Sequence, residues 1–332
     1  MISLLQPSID GLRTFLLEKN CFLSWNDSDF ENNVREYIVS GKLIRGGLLV
    51  HLLGKHNLND ALILGSALEL TESAFLIQDD IMDHDDLRRG KPSLHVQLSE
   101  MRSSDTGISL ALCISDYLFF QSQELLSSIK QTSFISELSR YWSTQLKRVC
   151  VGQYADSEYA SKSIIPTSSV LREMYVNKTS SYSFCIPFLT CAIFSHTPEP
   201  AKAILNTIGN NLGILYQLID DMLNIYGNSN ASGKPTGSDI REKKKTLLVS
   251  LAYEAIKPDE QKKCTEYYGS TKIEEYSSIA TLLHSDKVKQ RIDAEVLRLK
   301  TSIEELLASA LVPSDIKTTV HSLLDFIVRR TV

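Results

Sequence analysis

Helix-breaking residues are scarce in this chain, and where they fall limits the fold more than any other feature. Nine prolines and fifteen glycines serve 332 residues, and many of them gather at Gly41 to Gly47, Gly90 to Pro92, Pro198 to Pro200 and Gly227 to Gly237. The intervals between are long and free of the residues that most often stop a helix. Within them apolar residues recur at helical spacing, as in Leu62, Leu64, Ala67, Leu68, Ala74, Phe75, Ile77 and Ile81, and again in Ile204, Ile208, Leu212, Leu215, Leu218, Ile219 and Met222. No sustained alternation of period two competes with this pattern, so an all-α fold is expected.

Residues 60–82 and 201–225 are apolar around most of the helix circumference, which predicts buried centres of a bundle. Thr167 to Ser169 ahead of Val170, Ser238-Asp239 ahead of Ile240, and Pro313-Ser314 are helix-start signals. No linker, low-complexity tract or fixed-period repeat divides the chain, so a single domain over residues 1–332 is expected. A net charge of −5, with acid and base mixed along the chain, fits a globular protein and argues against a nucleic-acid partner. The six cysteines form no CxxC pair or ligand spacing and read as reduced thiols, hence a cytoplasmic protein. The longest apolar stretch, around Phe184 to Phe194, is too short to span a bilayer, so no integral membrane segment is expected.

Chemistry concentrates at the ends of the two apolar helices. In LIQDDIMDHDDLRRGKPSLH, Asp79 and Asp83 stand one turn apart and share a face, with Asp80 beside them. In YQLIDDMLN, Asp220, Asp221 and Asn224 repeat the spacing, and a Gly-rich loop with Lys234 and a lysine run follows. Burying such acids without cations is costly, so they are expected to face one central, metal-holding cavity. Mg²⁺ takes oxygen ligands and is commonly held by one or two carboxylates plus substrate phosphates, so the acids imply a phosphorylated ligand. Arg88, Arg89, Lys42, Arg45, Lys178, Lys234 and Lys244 are candidate phosphate contacts. A lone Asp-Asp-x-x-Asp is usually a solvated helix end, and a solvated face accounts better for at least two members of the Lys243 to Lys245 run; the ordered combination carries the weight.

That combination resembles the trans-isoprenyl diphosphate synthase family from about Gly41 to the terminal FIVRR. GKLIR, DDIMD with LRRGKP, NKTSS, and YQLIDD with GKPTGSDIREKKKT follow the family's order. The resemblance implies an isoprenoid-synthase helical bundle and a prenyltransferase that joins isopentenyl diphosphate to an allylic diphosphate. It implies that Asp79 and Asp83 bind two Mg²⁺ ions and Asp220 a third, with Asp80, Asp221 and Asn224 in support. Arg88, Lys178, Lys234 and Lys244 would contact the allylic diphosphate. Lys42, Arg45 and Arg89 would hold isopentenyl diphosphate, while Thr179 and Gln217 would line the reacting carbon. A homodimer is expected on the same ground.

Four positions depart from the family pattern. Glu72 stands where His or Gln is common, at a position expected to help hold isopentenyl diphosphate, and an acid there repels that ligand unless protonated or paired. Gln78 replaces a frequent His, Asn224 a third acid, and Lys243 a usual Gly. Phe75, one turn before Asp79, reads as a floor under the growing chain with Ala74 leaving room beside it, or equally as plain core; the floor predicts a C15 to C20 product. Two other readings stay open: a class I terpene cyclase, which has no use for Lys42, Arg45 and Arg89, and a non-catalytic or regulatory subunit, to which Glu72 and Asn224 point.

Overall fold

A helix that is apolar on every side must be enclosed by others, and the segment Leu58–Met82 is enclosed in this way. In the computed structural model, which describes residues 3–18, 28–130, 132–227, 238–270 and 272–330, this 25-residue helix (α4) has Leu64, Ala67, Leu68, Leu70 and Ala74 fully buried. Each large side chain so buried is worth about 1.5–3 kcal/mol of transfer free energy. Asn57 caps the helix by accepting from the Asp60 N–H at 3.1 Å. The other long apolar segment is the helix Glu199–Tyr226, opened by Pro198 and Pro200 and closed at Gly227. Both helices extend the expected segments by one or two residues at the ends.

The described residues are otherwise almost wholly helical, as the punctuation predicts. α1 (Gln6–Glu18), α2 (Ser28–Val39) and α3 (Ile44–Leu53) precede α4. A two-residue-per-strand hairpin follows, then α5 (Leu94–Glu100), α6 (Ser104–Ser127), α7 (Thr132–Ser161) and α8 (Ser168–Tyr175). A ten-residue π-helix, Val176–Cys185, runs into α9 (Ile186–Phe194), and α10 is Glu199–Tyr226. The remainder is α11 (Ser238–Arg241), α12 (Leu247–Ala255), α13 (Pro258–Tyr267), α14 (Ile273–Leu283), α15 (Asp286–Leu307) and α16 (Ser314–Arg329). The start signals at Thr167, Ser238 and Pro313 each fall at a helix start. Among the described residues no helix is long and apolar enough to cross a membrane. Five cysteines are free thiols, and Cys21 lies outside the described residues.

Contacts divide the chain into two compact units, Met1–Trp142 with Ile186–Thr197, and Ser143–Cys185 with Pro198–Val332. In the first, α4 packs against α3 and α6, and α3 against α1 and α9. The α3 and α4 backbones meet at glycines: a Cβ on Gly46 would lie 2.6 Å from the Gly65 carbonyl oxygen, so a larger residue there would force the helices apart. Two buried hydroxyl ties set the register of α4 on α6, Thr71 with Ser122 at 2.7 Å and Ser115 to the Ala74 carbonyl at 3.0 Å.

In the second unit α10 packs on the π-helix, α15 and α12. Its close approach also needs a glycine, because a Cβ on Gly213 would lie 2.1 Å from the Ser180 hydroxyl. Glu295 on α15, only 2% exposed, accepts from Arg172 at 2.8 Å and Arg298 at 2.7 Å, tying α8 to α15.

Candidate functional site

One acid cluster belongs to each unit. In the first, α4 ends at Asp83, whose N–H donates to the Asp79 carbonyl at 2.8 Å, so the helical spacing of the two acids survives to the terminus. Asp79 and Asp83 are half-buried. Asp80, one residue along, points inward and is fully buried. It accepts from Arg88 Nε at 2.7 Å, pairs also with Arg88 Nη2, and accepts from the Tyr37 hydroxyl at 3.4 Å. Burial pushes its carboxyl up to about 6, against the hydrogen bond and charge of Arg88, which lower it.

The two arginines arrive on a hairpin whose strands are Leu87–Arg88 and Lys91–Pro92. The connecting residues Arg89 and Gly90 have φ of 56° and 77°, both left-handed, as a two-residue turn matched to strand twist requires. The turn aims neighbouring arginines at different targets. Arg88 also approaches Asp85 at 3.6 Å and Asp79 at 3.9 Å. Arg89 donates to the Tyr37 carbonyl at 3.1 Å, and its guanidinium lies so near Gly41 that a Cβ there would come within 3.0 Å. The hairpin thereby brings Arg89 beside the loop that carries exposed Lys42 and leads into Arg45.

Arg45 Nη1 donates to Glu72 Oε1, which meets the condition attached to an acid at that position: it is paired. Glu69, one turn before Glu72, is 3% exposed and accepts from the Gly46 N–H at 2.6 Å. Burial, followed by the charge of Glu72, pushes the Glu69 carboxyl well above the usual range. Phe75 is half-buried and meets Phe119 of α6 edge to face, with ring centroids 4.8 Å apart and planes at 71°. Ala74 is fully buried.

In the second unit the same division of labour recurs within the Asp pair. Asp220 is partly exposed, with its side chain at 31%, whereas Asp221 is buried. The Tyr175 hydroxyl donates to Asp221 at 2.6 Å and accepts from the Leu247 N–H at 2.9 Å, and Gln217 donates to Asp221 at 3.5 Å. Burial, then the charge of Asp239, pushes Asp221 well above the ordinary carboxylate range. Asn224 accepts from the Asp239 N–H at 3.4 Å, so an amide stands where a third acid was expected and anchors backbone. Lys178 and Thr179 come from the π-helix, whose wider turn is a common device at functional sites. The Thr179 hydroxyl donates to Gln217 Oε1 at 3.3 Å.

Lys244 approaches Glu242 at 3.3 Å, after Lys243 with φ of 59°, the backbone region for which glycine is the usual residue. Lys234 lies outside the described residues. Among the described residues, no three His, Cys, Asp or Glu side chains form a metal cage of their own. Half-buried hard-oxygen carboxylates one turn apart suit Mg²⁺, which shares its shell with water and phosphate, and Asp79 and Asp83 fit that requirement; Asp220, with Asn224 one turn on and Arg330 beside it, offers a single part-exposed carboxylate. Asp80 and Asp221, already committed to internal partners, do not meet the requirement.

Sequence reasoning missed three partners. Asp156 accepts from Lys178 Nζ at 2.6 Å; it lies in a helix with no sign in its spacing of what it faces. Arg330, 110 residues from Asp220, donates to Asp220 Oδ1 at 2.6 Å with its guanidinium 4.8 Å from the Tyr216 ring centroid. Tyr37, the partner of both Asp80 and Arg89, had no local motif to mark it.

Comparison with known proteins gives the family and the fold. The family model described as Polyprenyl synthetase matches residues 28–284. The short chain isoprenyl diphosphate synthase of Methanocaldococcus jannaschii is 29% identical over 289 residues, 86% of this chain and 81% of that one. The farnesyl diphosphate synthase of Micrococcus luteus is 31% identical over 236 residues, 70% of this chain and 78% of that protein. Among solved structures, a Corynebacterium glutamicum geranylgeranyl pyrophosphate synthase complexed with isoprenyl diphosphate and magnesium superposes with a TM-score of 0.84 at 22% identity, covering 99% of this chain and 98% of that one. That likeness establishes the all-α fold. With the family model spanning most of its length and both acid clusters inside the match, the chain belongs to the polyprenyl synthetase family.

Proposed function

We propose that this chain is a Mg²⁺-dependent trans-prenyltransferase that condenses isopentenyl diphosphate with an allylic diphosphate, head to tail, to a C15 to C20 product. The single observation that supports it most is the repeated asymmetry of the Asp pairs: one acid fully buried among internal hydrogen bonds, its neighbour half-buried at the helix end beside an arginine. The relatives named above are short-chain and farnesyl diphosphate synthases, which supports the product range.

In this reading Asp79, Asp83 and Asp220 hold Mg²⁺, three ions per site. When bound, the ions supply positive charge to a diphosphate leaving group. Arg88, Lys178, Lys234 and Lys244 stabilise the same diphosphate as the allylic C–O bond breaks and its electron pair moves onto oxygen. Lys42, Arg45 and Arg89 grip isopentenyl diphosphate, whose double bond supplies the pair for the new carbon–carbon bond before a proton is lost. Thr179 and Gln217 turn oxygen dipoles toward the allylic cation. Asp80 holds Arg88 in its place, and Asp221 holds Gln217. In this reading the chain is a single polyprenyl synthetase domain and works as a cytoplasmic homodimer.

Purified protein incubated with Mg²⁺, labelled isopentenyl diphosphate and a series of allylic primers tests the reading. Elongated prenyl diphosphates are expected, and Asp79→Asn and Asp220→Asn each slow their formation by on the order of a hundredfold or more. Hydrocarbon released from the primer alone, or no turnover without a second protein, overturns it.

A further inference from the structure

The pairing of Arg45 with Glu72 leaves a charge problem at the place assigned to isopentenyl diphosphate. Arg45 faces two acids, Glu72, which receives its guanidinium, and Glu69, whose burial favours the neutral form, so this group offers an incoming anion no net positive charge. Glu69 and Glu72 stand at i and i+3 on α4, so their carboxyl groups lie on one face of the helix. Gly46 holds Glu69 in place through its N–H.

Several polar side chains of the other elements packed on α4 are engaged away from this pair. Arg13 of α1 donates to the Val39 and Gly41 carbonyls, and Tyr37 of α2 turns to Asp80. Facing α4, α6 offers the neutral hydroxyls of Ser115 and Ser122, and in α5 His95 bonds Ser93. A diphosphate arriving at Lys42, Arg45 and Arg89 therefore competes with Glu72 for Arg45 and is repelled by it.

We propose that isopentenyl diphosphate binds together with one proton, which settles on the Glu69–Glu72 pair and releases Arg45 to the ligand. The proton comes from solvent and returns to it when the diphosphate leaves. This rests on the substrate assignment of Lys42, Arg45 and Arg89 made above. Glu72 is then the residue that sets how affinity for the second substrate depends on pH. The free pair holds one proton and the liganded pair two, so binding draws a proton in. Affinity is greatest at low pH and falls as pH rises, up to about tenfold per pH unit between the free and liganded titrations.

Two measurements test it. The first is KM for isopentenyl diphosphate from about pH 6.5 to about pH 8.5, at saturating allylic primer and Mg²⁺, for wild type, Glu72→Gln and Glu69→Gln. In wild type KM rises with pH; in Glu72→Gln the rise flattens and KM at the alkaline end is the lower. The allylic KM keeps the same pH slope in both, which a general structural defect would not allow. The second is calorimetric titration of isopentenyl diphosphate in two buffers of different protonation heat, which should count about one proton taken up per site in wild type and about none in Glu72→Gln.

Should Glu72→Gln fail to fold by its thermal melt, Glu69→Gln carries the test. Its amide oxygen still accepts from Gly46, and loss of the shared proton moves the KM rise to lower pH. Turnover with equal slopes, or binding without proton uptake, overturns the linkage alone. No elongated product and no binding heat overturn the substrate assignment beneath it, and the linkage with it.

Discussion

Replacing Phe75 with alanine removes one half of an aromatic pair that stands one turn before Asp79. The ring of Phe75 meets Phe119 edge to face at 4.8 Å, and both are half-buried, so the pair borders open space as well as packing on it. Two hydroxyl ties on either side, Thr71 with Ser122 and Ser115 with Ala74, hold α4 and α6 in register, so the helices cannot readily close over the gap. The lost ring has six carbons and an isoprene unit five, which makes room for about one further unit. The stability cost is about 1–2 kcal/mol, less than for a fully buried Phe, because the ring is only partly enclosed. Product extraction and chromatography should show a shift of about one five-carbon unit, and Phe75→Ala with Phe119→Ala about two. An unchanged product from a folded Phe75→Ala protein would refute the floor and leave Phe75 as core.

On the proposal that Asp220 holds Mg²⁺, Arg330→Met removes a cation that competes for that carboxylate. A part-exposed pair of this kind is worth about 1 kcal/mol, so the Mg²⁺ concentration for half-maximal rate should fall about fivefold; an unchanged Mg²⁺ dependence would mean that Arg330 does not compete. Glu295→Gln should destabilise the second unit. Burial raises the Glu295 carboxyl, but hydrogen bonds from Arg298 and Arg172 outweigh it and hold the group at about 2. Against the usual value near 4.5 that is about 3 kcal/mol, reduced to about 2 kcal/mol by solvent at half-exposed Arg298. Because the folded carboxyl is depressed, this contribution is complete above about pH 4.5 and lost as pH falls toward about 2. Urea unfolding should therefore show a gap between wild type and variant at neutral pH that narrows in acid, and a constant gap would argue against the ion pair as its source.

The long helices were legible because their signal is additive: each apolar residue at the right spacing adds to the same inference, as along Leu58–Met82 and Glu199–Tyr226. The acid motifs were legible for the same reason, being local. The π-helix at Val176–Cys185 was not, since the widening of a turn by one residue leaves no mark in the types of side chain present. The hairpin was hidden too. Its strands are two residues long, too short for any alternation, and only Gly90 hinted at the turn. Asp156, Arg330 and Tyr37 escaped because their meaning lies in tertiary contacts.

The departures from family pattern separate along the same line. At Lys243 the backbone does what a glycine would do, at some conformational cost, and the lysine side chain is incidental to that. Asn224 uses its amide on the backbone of Asp239. Glu72 differs in kind, because the group it binds is itself assigned to the substrate. An acid placed there in isolation would only weaken binding, and a second acid one turn away would make that worse if both were charged. Burial of Glu69 favours its neutral form, so in the proposed linkage the pair confronts the incoming diphosphate with a single negative charge that one proton can cancel. The departure that weighs most heavily against catalysis when read alone is thus compatible with it once Glu69, Gly46 and Arg45 are seen together.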